Sequence, residues 1–331
     1  MRIWFNRGFS LNPIATEMVK ACPSLEIMIS TAPDAQLVSG ITRLDENSSL
    51  TDAQYLKWVE EQVERHRIDV FIPTSRRRLV ATADLPCRVE MASDIETLAL
   101  LDDKHAFAQE MQGTPIHLPT SKVSSSKELR QKLSDFRESH GAWKQPCVKP
   151  NKGVFGHGFW RLTQGSPIAH IIDPDEREME TNIYLAALEA QEELQSLDPL
   201  VLMEYLPGPE VSFDVLASQG KTLRAVARTK LTPHRRRLQT SHPLREHVDR
   251  MIDRFSLHGV VNVQFRKDHD AHWKVLEINT RPAGGIIHGE QFGGGILSGW
   301  AQILSGEKKP EEIENTTVDV EVDIHTTLIR R

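Results

Sequence analysis

The sequence predicts an α/β protein in which a short parallel sheet is followed by a larger α+β part built on a mostly antiparallel sheet. Two observations carry this. Over the first hundred residues, apolar runs of strand length alternate with amphipathic runs of helix length. Beyond Leu200, five strand-like apolar runs follow one another. A chain of 331 residues is long enough for about two domains and buries a core without disulfide staples. The expected division is 1–100 and 101–331, the second part subdividing at about 118–203 and 204–331.

In chain order, Met1–Trp4 opens a strand, Pro13–Ala21 a helix, and Leu25–Ile29 a second apolar run. Ala53–His66 is an amphipathic helix, because Tyr55, Leu56, Val59 and Val63 recur at helical spacing. It feeds Ile68–Ile72, a nearly all-apolar strand stopped by Pro73. Strands this apolar are expected to be covered on both faces. Thr74–Arg78 follows the strand end, where α/β sheets bind ligands; it reads either as an anion contact or as a solvated helix start. Gly113, Pro115 and Pro119 punctuate a linker. Ser124–Ser126 then cap a charged helix over Lys127–Ser139, and Cys147–Lys149 is a short strand. Residues 174–198 read as helical, with Glu176, Glu178, Glu180, Glu189, Glu192 and Glu193 on a solvated face. The strand runs that follow are LVLMEYL, VSFDVLA, TLRAVAR, VVNVQFR and WKVLEIN.

Composition excludes several classes. Hydrophobic residues make up 39% and charged residues 26%, the balance of a soluble globular chain. No apolar run approaches the roughly 18 residues of a membrane helix. The start, MRIWFNRGFSLNP, lacks a signal peptide's apolar core, so a cytoplasmic protein is expected. Cys22, Cys87 and Cys147 are too scattered for a disulfide framework or a zinc site. With a net charge of -6, attraction to nucleic acid or an anionic membrane is not expected. None of the 14 histidines has ligand spacing beside other metal ligands.

Four segments carry chemistry. In VKPNKGVFGHG (148–158) a lysine ends a strand and three glycines follow, Gly153, Gly156 and Gly158. Glycines let backbone N–H groups approach an anion, and Lys149 adds fixed charge. The spacing is neither a Walker A loop nor a Rossmann fingerprint. In MEYLPGPEVSFD (203–214) a strand ends in a Pro-Gly turn flanked by acids, either a plain hairpin or a site whose backbone pairs with a base edge. In NVQF and LEINTR, strand alternation puts Glu277, Asn279 and Arg281 on one face, with Leu276 and Ile278 on the other. Gln264 is expected opposite them, giving oxygen donors of the kind magnesium prefers and an arginine for phosphate. Finally, Val215–Arg245 holds Lys221, Arg224, Arg228, Lys230, Arg235, Arg236, Arg237 and Arg245 without an acid. It reads as a field that steers a polyanion or an acidic substrate, or, for Arg235–Arg237, as an exposed mobile loop.

VKPNKGVFGHG, MEYLPGPEVSFD, NVQF and LEINTRPAGG, in this order and after Asp103-Lys104, resemble the ATP-grasp superfamily over roughly residues 95–300. The resemblance implies an ATP-grasp fold preceded by a Rossmann-like pre-ATP-grasp domain. It implies that Lys104 and Lys149 contact ATP phosphates and that Gly153, Gly156 and Gly158 form the loop covering them. Glu204, Tyr205 and Leu206 match the adenine hinge, and Glu210 the ribose-binding acid. Gln264, Glu277 and Asn279 match ligands for magnesium or manganese, with glutamine where many members have an acid. Arg281 matches the arginine on the transferred group, and Gly284 and Gly285 the turn that meets a substrate carboxylate. Lys149, Arg228 and Arg281 are the expected catalytic residues.

The implied activity is an ATP- and magnesium-dependent ligase. It activates a carboxylate as an acyl phosphate for attack by an amine or thiol, releasing ADP and phosphate. The alternatives are a phosphotransferase that stops before ligation and an ATP-binding sensor or scaffold without turnover. The implied partners are small carboxylates and amines, and a homodimer is the assembly common among relatives. Consistent with acyl-phosphate chemistry, the chain has no GxSxG elbow, no Cys–His signature and no HExxH motif.

Overall fold

The computed structural model describes residues 1–8, 10–31, 40–141, 143–153 and 156–324. The chain forms two compact units. Unit 1 contains Met1–Ala99, Val211–Val263 and Ile278–Arg331; unit 2 contains Leu100–Glu210 and Gln264–Glu277.

Unit 1 begins with a parallel sheet of β1 (Arg2–Phe5), β2 (Glu26–Thr31), β3 (Ile41–Asp45), β4 (Val70–Ile72) and β5 (Arg88–Val89), in the order β3-β2-β1-β4-β5. Ile3, Trp4 and Phe5 are all fully buried, as a strand covered on both faces requires. Trp4 stacks on Phe71 with ring centroids 4.3 Å apart, and Ile3 and Phe5 join the core on the other side. The crossover helix Asp52–His66 starts at Thr51, whose hydroxyl accepts from the Gln54 N–H in a capping box. Ile68 stays outside β4, because its N–H donates to the Val63 carbonyl at the helix end. The expected solvated start at Thr74–Arg78 is largely tied down instead. Arg76 lies over the Tyr55 ring at 4.5 Å, and Arg77 donates to the hydroxyl and carbonyl of Thr280.

Unit 2 is built on β6 (Thr120–Val123), β7 (Pro146–Pro150), β8 (Trp160–Thr163), β9 (Glu178–Glu180) and β10 (Leu200–Glu204), in the order β6-β10-β7-β8-β9. Helices Ser126–His140 and Thr181–Leu194 bury Leu129, Leu133, Tyr184 and Leu185 against Val123, Val148, Leu162 and Leu202. Ser125 caps the first helix, accepting from the Glu128 N–H. The acidic stretch departs from a solvated helix face. Glu180 is buried and caps the second helix through the N–H groups of Asn182 and Ile183. Glu192 accepts from the Ser126 N–H at 2.7 Å.

The third sheet comprises β11 (Glu210–Ser218), β12 (Lys221–Lys230), β13 (Arg235–Gln239), β14 (Gly259–Lys267), β15 (Trp273–Asn279) and β16 (Asp319–Asp323), in the order β15-β14-β11-β12-β13-β16. β11 pairs with β12, β12 with β13 and β13 with β16, all antiparallel, as the strand runs predicted. β14 and β15 each pass from one unit into the other. Arg235–Arg237 are in β13, not in a loop. Arg235 pairs with Asp323 at 2.9 Å and Arg237 with Asp319 at 3.1 Å, both acids on β16. Two of the eight cations of the expected steering field are thereby paired with acids more than 80 residues further along. Leu216, Val226, Leu238, Val260 and Trp300 share one core with Ile3, Phe5, Ile14 and Ile29, so both ends of the chain contribute to unit 1. No helix among the described residues is long and apolar enough to cross a membrane.

Candidate functional site

Unit 2 contains a cavity of about 210 Å³ where β7, β10, β14 and β15 end. Lys104, Lys149, Gly153, Gly156, Glu204, Tyr205, Leu206, Gln264 and Glu277 all line it. Nine of the residues singled out from the sequence thus share one wall. Cys147, Pro150, His157, Phe159, Met203, Arg266 and Leu276 complete it.

One end carries charge. Lys104 opens the helix Lys104–Glu110, and its ammonium donates to the Gly153 carbonyl at 2.9 Å. Burial lowers its pKa below the ordinary lysine value, the neighbouring Lys149 lowers it further, and Glu277 opposes both. The two lysines and the carboxylate are therefore close enough to feel one another. Asn151, which the sequence reading passed over, holds this end together. It accepts from the His105 N–H at 3.0 Å and donates to Asp103 at 2.8 Å, and its carbonyl accepts from the Lys104 N–H. Asp103 in turn caps the helix through the Ala106 N–H. Burial raises the Asp103 pKa, but these hydrogen bonds outweigh it and hold the carboxyl below its ordinary value. The readable signal was a lone amide directly after a strand and before a glycine.

Gly158 has φ +71°, and a Cβ there would come within 2.8 Å of the Pro150 ring, so the loop needs glycine at this point. Val154 and Phe155 of the same loop lie outside the described residues.

The other end is apolar apart from Glu204 and Arg266. Leu118, Cys147, Met203 and Leu206 pack together with Phe159, Tyr205 and Leu276. Burial pushes the Cys147 thiol up to about 12, which makes it an inert wall. Glu204 pairs through one oxygen with Lys144 at 2.8 Å, while its Oε1 is buried without a hydrogen-bond partner. A buried carboxylate oxygen left in this state is an acceptor waiting for an N–H donor. Leu276 and Glu277, adjacent on β15 at the end of the sheet order, both border the cavity.

Other expected residues lie elsewhere. Glu210 opens β11 and is not part of the cavity wall, and neither is Gly158. Asn279 follows Glu277 by two positions on β15 and belongs to unit 1. Within unit 1, Arg281 borders a narrow cleft with Thr74, Glu90, His258 and Trp300. Arg228 pairs with the buried Asp214 at 3.3 Å, and Asn262 donates to the same carboxylate at 2.8 Å. The guanidinium lies so close to Gly285 that a Cβ there would come within 2.6 Å of it. Gly284 is half-buried beside it, ahead of the helix Ile286–Gln291. The histidine expectation needs one correction. His272 comes together with Asp268 and Asp270 in the turn between β14 and β15, with ligand atoms within 4.8 Å. Asp268 Oδ1 is already used there by the N–H groups of Asp270 and His272.

The comparisons with known proteins agree with this architecture. The Bacillus licheniformis L-amino acid ligase superposes with a TM-score of 0.60 at 13% identity, covering 95% of this chain and 77% of that one. The Staphylococcus aureus N5-carboxyaminoimidazole synthetase gives 0.61 at 14% identity, covering 91% and 76%. The biotin carboxylase domain of Hydrogenobacter thermophilus 2-oxoglutarate carboxylase, solved with MgADP and bicarbonate, gives 0.64 at 16% identity, covering 93% and 70%.

The chain has the ATP-grasp fold.

A sequence-family profile described as "ATP-grasp in the biosynthetic pathway with Ter operon" also matches residues 196–327. That span includes Glu204–Leu206 and the end of β15. No curated protein sequence matches the chain.

Proposed function

We propose that this chain is an ATP- and magnesium-dependent ligase that activates a carboxylate as an acyl phosphate for attack by an amine or thiol. One observation carries the reading. Two lysines, Lys104 and Lys149, share a cavity with Glu277 and Gln264, and a buried, unpartnered acceptor stands at its hinge. That division of charge suits a nucleotide, with phosphates at the lysines and an exocyclic amine at Glu204 Oε1. The similar solved proteins give the same direction: they include an L-amino acid ligase, N5-carboxyaminoimidazole synthetases and biotin carboxylases, several with ADP.

The oxygens of Gln264 and Glu277 are hard donors, which fits magnesium better than a softer metal. In this proposal those two residues and Asn279 hold the ion, whose chemistry is neutralisation of phosphate charge. Lys104 and Lys149 orient the phosphates, and backbone groups of Gly153, Gly156 and Gly158 cover them. Tyr205 and Leu206 present the hinge backbone to the base, and Glu210 takes the ribose. Arg281 and Arg228 stabilise the developing anionic group, and Gly284 and Gly285 meet the substrate carboxylate. A carboxylate is a poor electrophile because its charge is delocalised. Moving a phosphoryl group onto it supplies a leaving group, and the amine or thiol then expels phosphate. Such chemistry asks the protein for positioning and charge stabilisation more than for a covalent group.

The test is incubation with Mg-ATP and pooled amino acids, small carboxylates, amines and thiols, with Glu277→Ala as control. ADP and phosphate formed only with a metabolite, together with an amide or thioester product, support the ligase. A phosphorylated product without ligation supports the phosphotransferase. AMP and pyrophosphate would overturn the acyl-phosphate mechanism, and tight ATP binding without turnover on any pool would favour a sensor.

A further inference from the structure

Arg266 lies in the cavity wall two residues after Gln264 on β14, on the same face of the strand. An arginine is an unexpected choice at an end walled by Phe159, Met203, Leu206 and Leu276, because a cation placed among apolar groups costs free energy unless it meets a partner. Its position is fixed from two sides. Its Nε donates to the Gly208 carbonyl in the hinge turn at 3.0 Å, and its guanidinium lies over the Tyr205 ring at 5.4 Å. Tyr205 is held in turn by Arg161 at 4.9 Å on the ring, and Arg161 is anchored by Glu176 at 2.8 Å and Glu178 at 3.3 Å. The Gly208 turn is bonded to the same stretch of β14, its N–H donating to the Lys267 carbonyl. The guanidinium plane is therefore set before any ligand arrives, so little ordering entropy is lost on binding.

We propose that Arg266 is a specificity residue whose guanidinium plane stacks on the purine base of the bound nucleotide, beside the Tyr205 ring that Arg161 and Arg266 both contact. This rests on the nucleotide reading of the cavity given above. A guanidinium is planar, weakly hydrated and suited to lie on aromatic faces, and arginine planes serve as platforms for bases. A lysine there keeps the charge and loses the plane.

The experiment is calorimetric titration of the full chain with Mg-ADP and, separately, with Mg-pyrophosphate, which has the phosphates but no base. Wild type, Arg266→Ala and Arg266→Lys are compared, with thermal unfolding as the folding check. The expected result is about a tenfold or greater loss of ADP affinity in both variants, in the range of a desolvated cation–π contact, with pyrophosphate affinity changed by less than about twofold. Equal weakening of both ligands would reduce Arg266 to a general charge and overturn the proposal. So would full rescue by lysine, or unchanged ADP affinity in folded Arg266→Ala. If wild type bound pyrophosphate but showed no added affinity for ADP, the nucleotide reading itself would fall, and this assignment with it.

Discussion

The side-chain amide of Asn151 donates to the Asp103 carboxylate at 2.8 Å, tying the strand that ends before the glycine loop to the cap of the helix that begins with Lys104. Asn151 is buried, so Asn151→Ala leaves the His105 N–H and one Asp103 oxygen short of a partner. Both groups are only half-buried and water can replace the lost amide, so the variant should lose about 1 kcal/mol in urea denaturation, the net worth of an ordinary hydrogen bond. The lost amide also frees the Asp103 carboxylate that caps the helix one residue before Lys104, so Mg-ADP affinity should fall as well. An unchanged denaturation midpoint would show that the clamp is dispensable.

Glu277 shares the cavity wall with Lys104 and Lys149, and its charge acts on Lys104. Glu277→Ala should lower ATP-dependent turnover by at least roughly 10²–10³-fold, the loss typical when one charge-stabilising group is removed. It should also make ADP affinity insensitive to added EDTA. Wild-type turnover in this variant would remove Glu277 from the metal set.

Gly285 has an ordinary negative φ, so alanine there is not strained by the backbone. The obstacle is Arg228, whose guanidinium occupies the space. Gly285→Ala should cost about 1–3 kcal/mol by overpacking. The same change in an Arg228→Ala background should cost almost nothing, which a double-mutant cycle measures. Arg228→Ala alone should cost about 3–5 kcal/mol, because it leaves the buried Asp214 carboxylate without its cation.

Burial lowers the pKa of His288 below its ordinary 6.5; Arg228 and Arg236 lower it further, and Asp214 opposes them. The folded state therefore binds this proton more weakly than the unfolded chain does. The stability tied to a neutral His288 is fully present above about pH 6.5 and drains away as pH falls through the folded value. Denaturation at pH 7.5 and 5.5 should show a smaller acid loss in His288→Asn than in wild type. Identical pH slopes would assign the acid loss to other groups.

Cys147 should resist alkylation in the native protein, since burial pushes its thiol up to about 12. Cys87 is only partly buried and should react first. Peptide mapping after brief iodoacetamide treatment at pH 7.5 decides the order. Early labelling of Cys147 would mean that the apolar end of the cavity opens readily.

Much of this was legible in the sequence where a local rule governs. The Asp52–His66 helix follows from its side-chain period, which gave Ala53–His66; its Thr51 cap was not read. β1 was legible too, because its residues are apolar on both faces. The cavity residues were legible as short motifs whose order survived. β3 was not, because as the edge strand of its sheet it carries exposed Thr42 and Arg43 and lacks a run of apolar residues. Glu180 was misread because a carboxylate that caps a helix looks, in sequence, like one on its solvated face. The charge of Arg235 and Arg237 was misjudged for a longer-range reason: the compensating Asp319 and Asp323 are brought alongside only by strand pairing. Arg266 escaped notice because a single arginine in an apolar strand has no periodicity of its own.

Residues at the two ends of the chain belong to one apolar core, with Ile3, Phe5 and Ile14 in the same cluster as Trp300, Val318 and Val322. A ribosome delivers these groups in order, so the first sheet emerges long before its covering residues exist. Unit 2 has all its segments once Glu277 has been synthesised, whereas unit 1 must wait for the final strand. A nascent chain stalled near residue 300 would therefore carry an uncovered apolar surface. Such a product should be a substrate for chaperones and proteases rather than a smaller working protein.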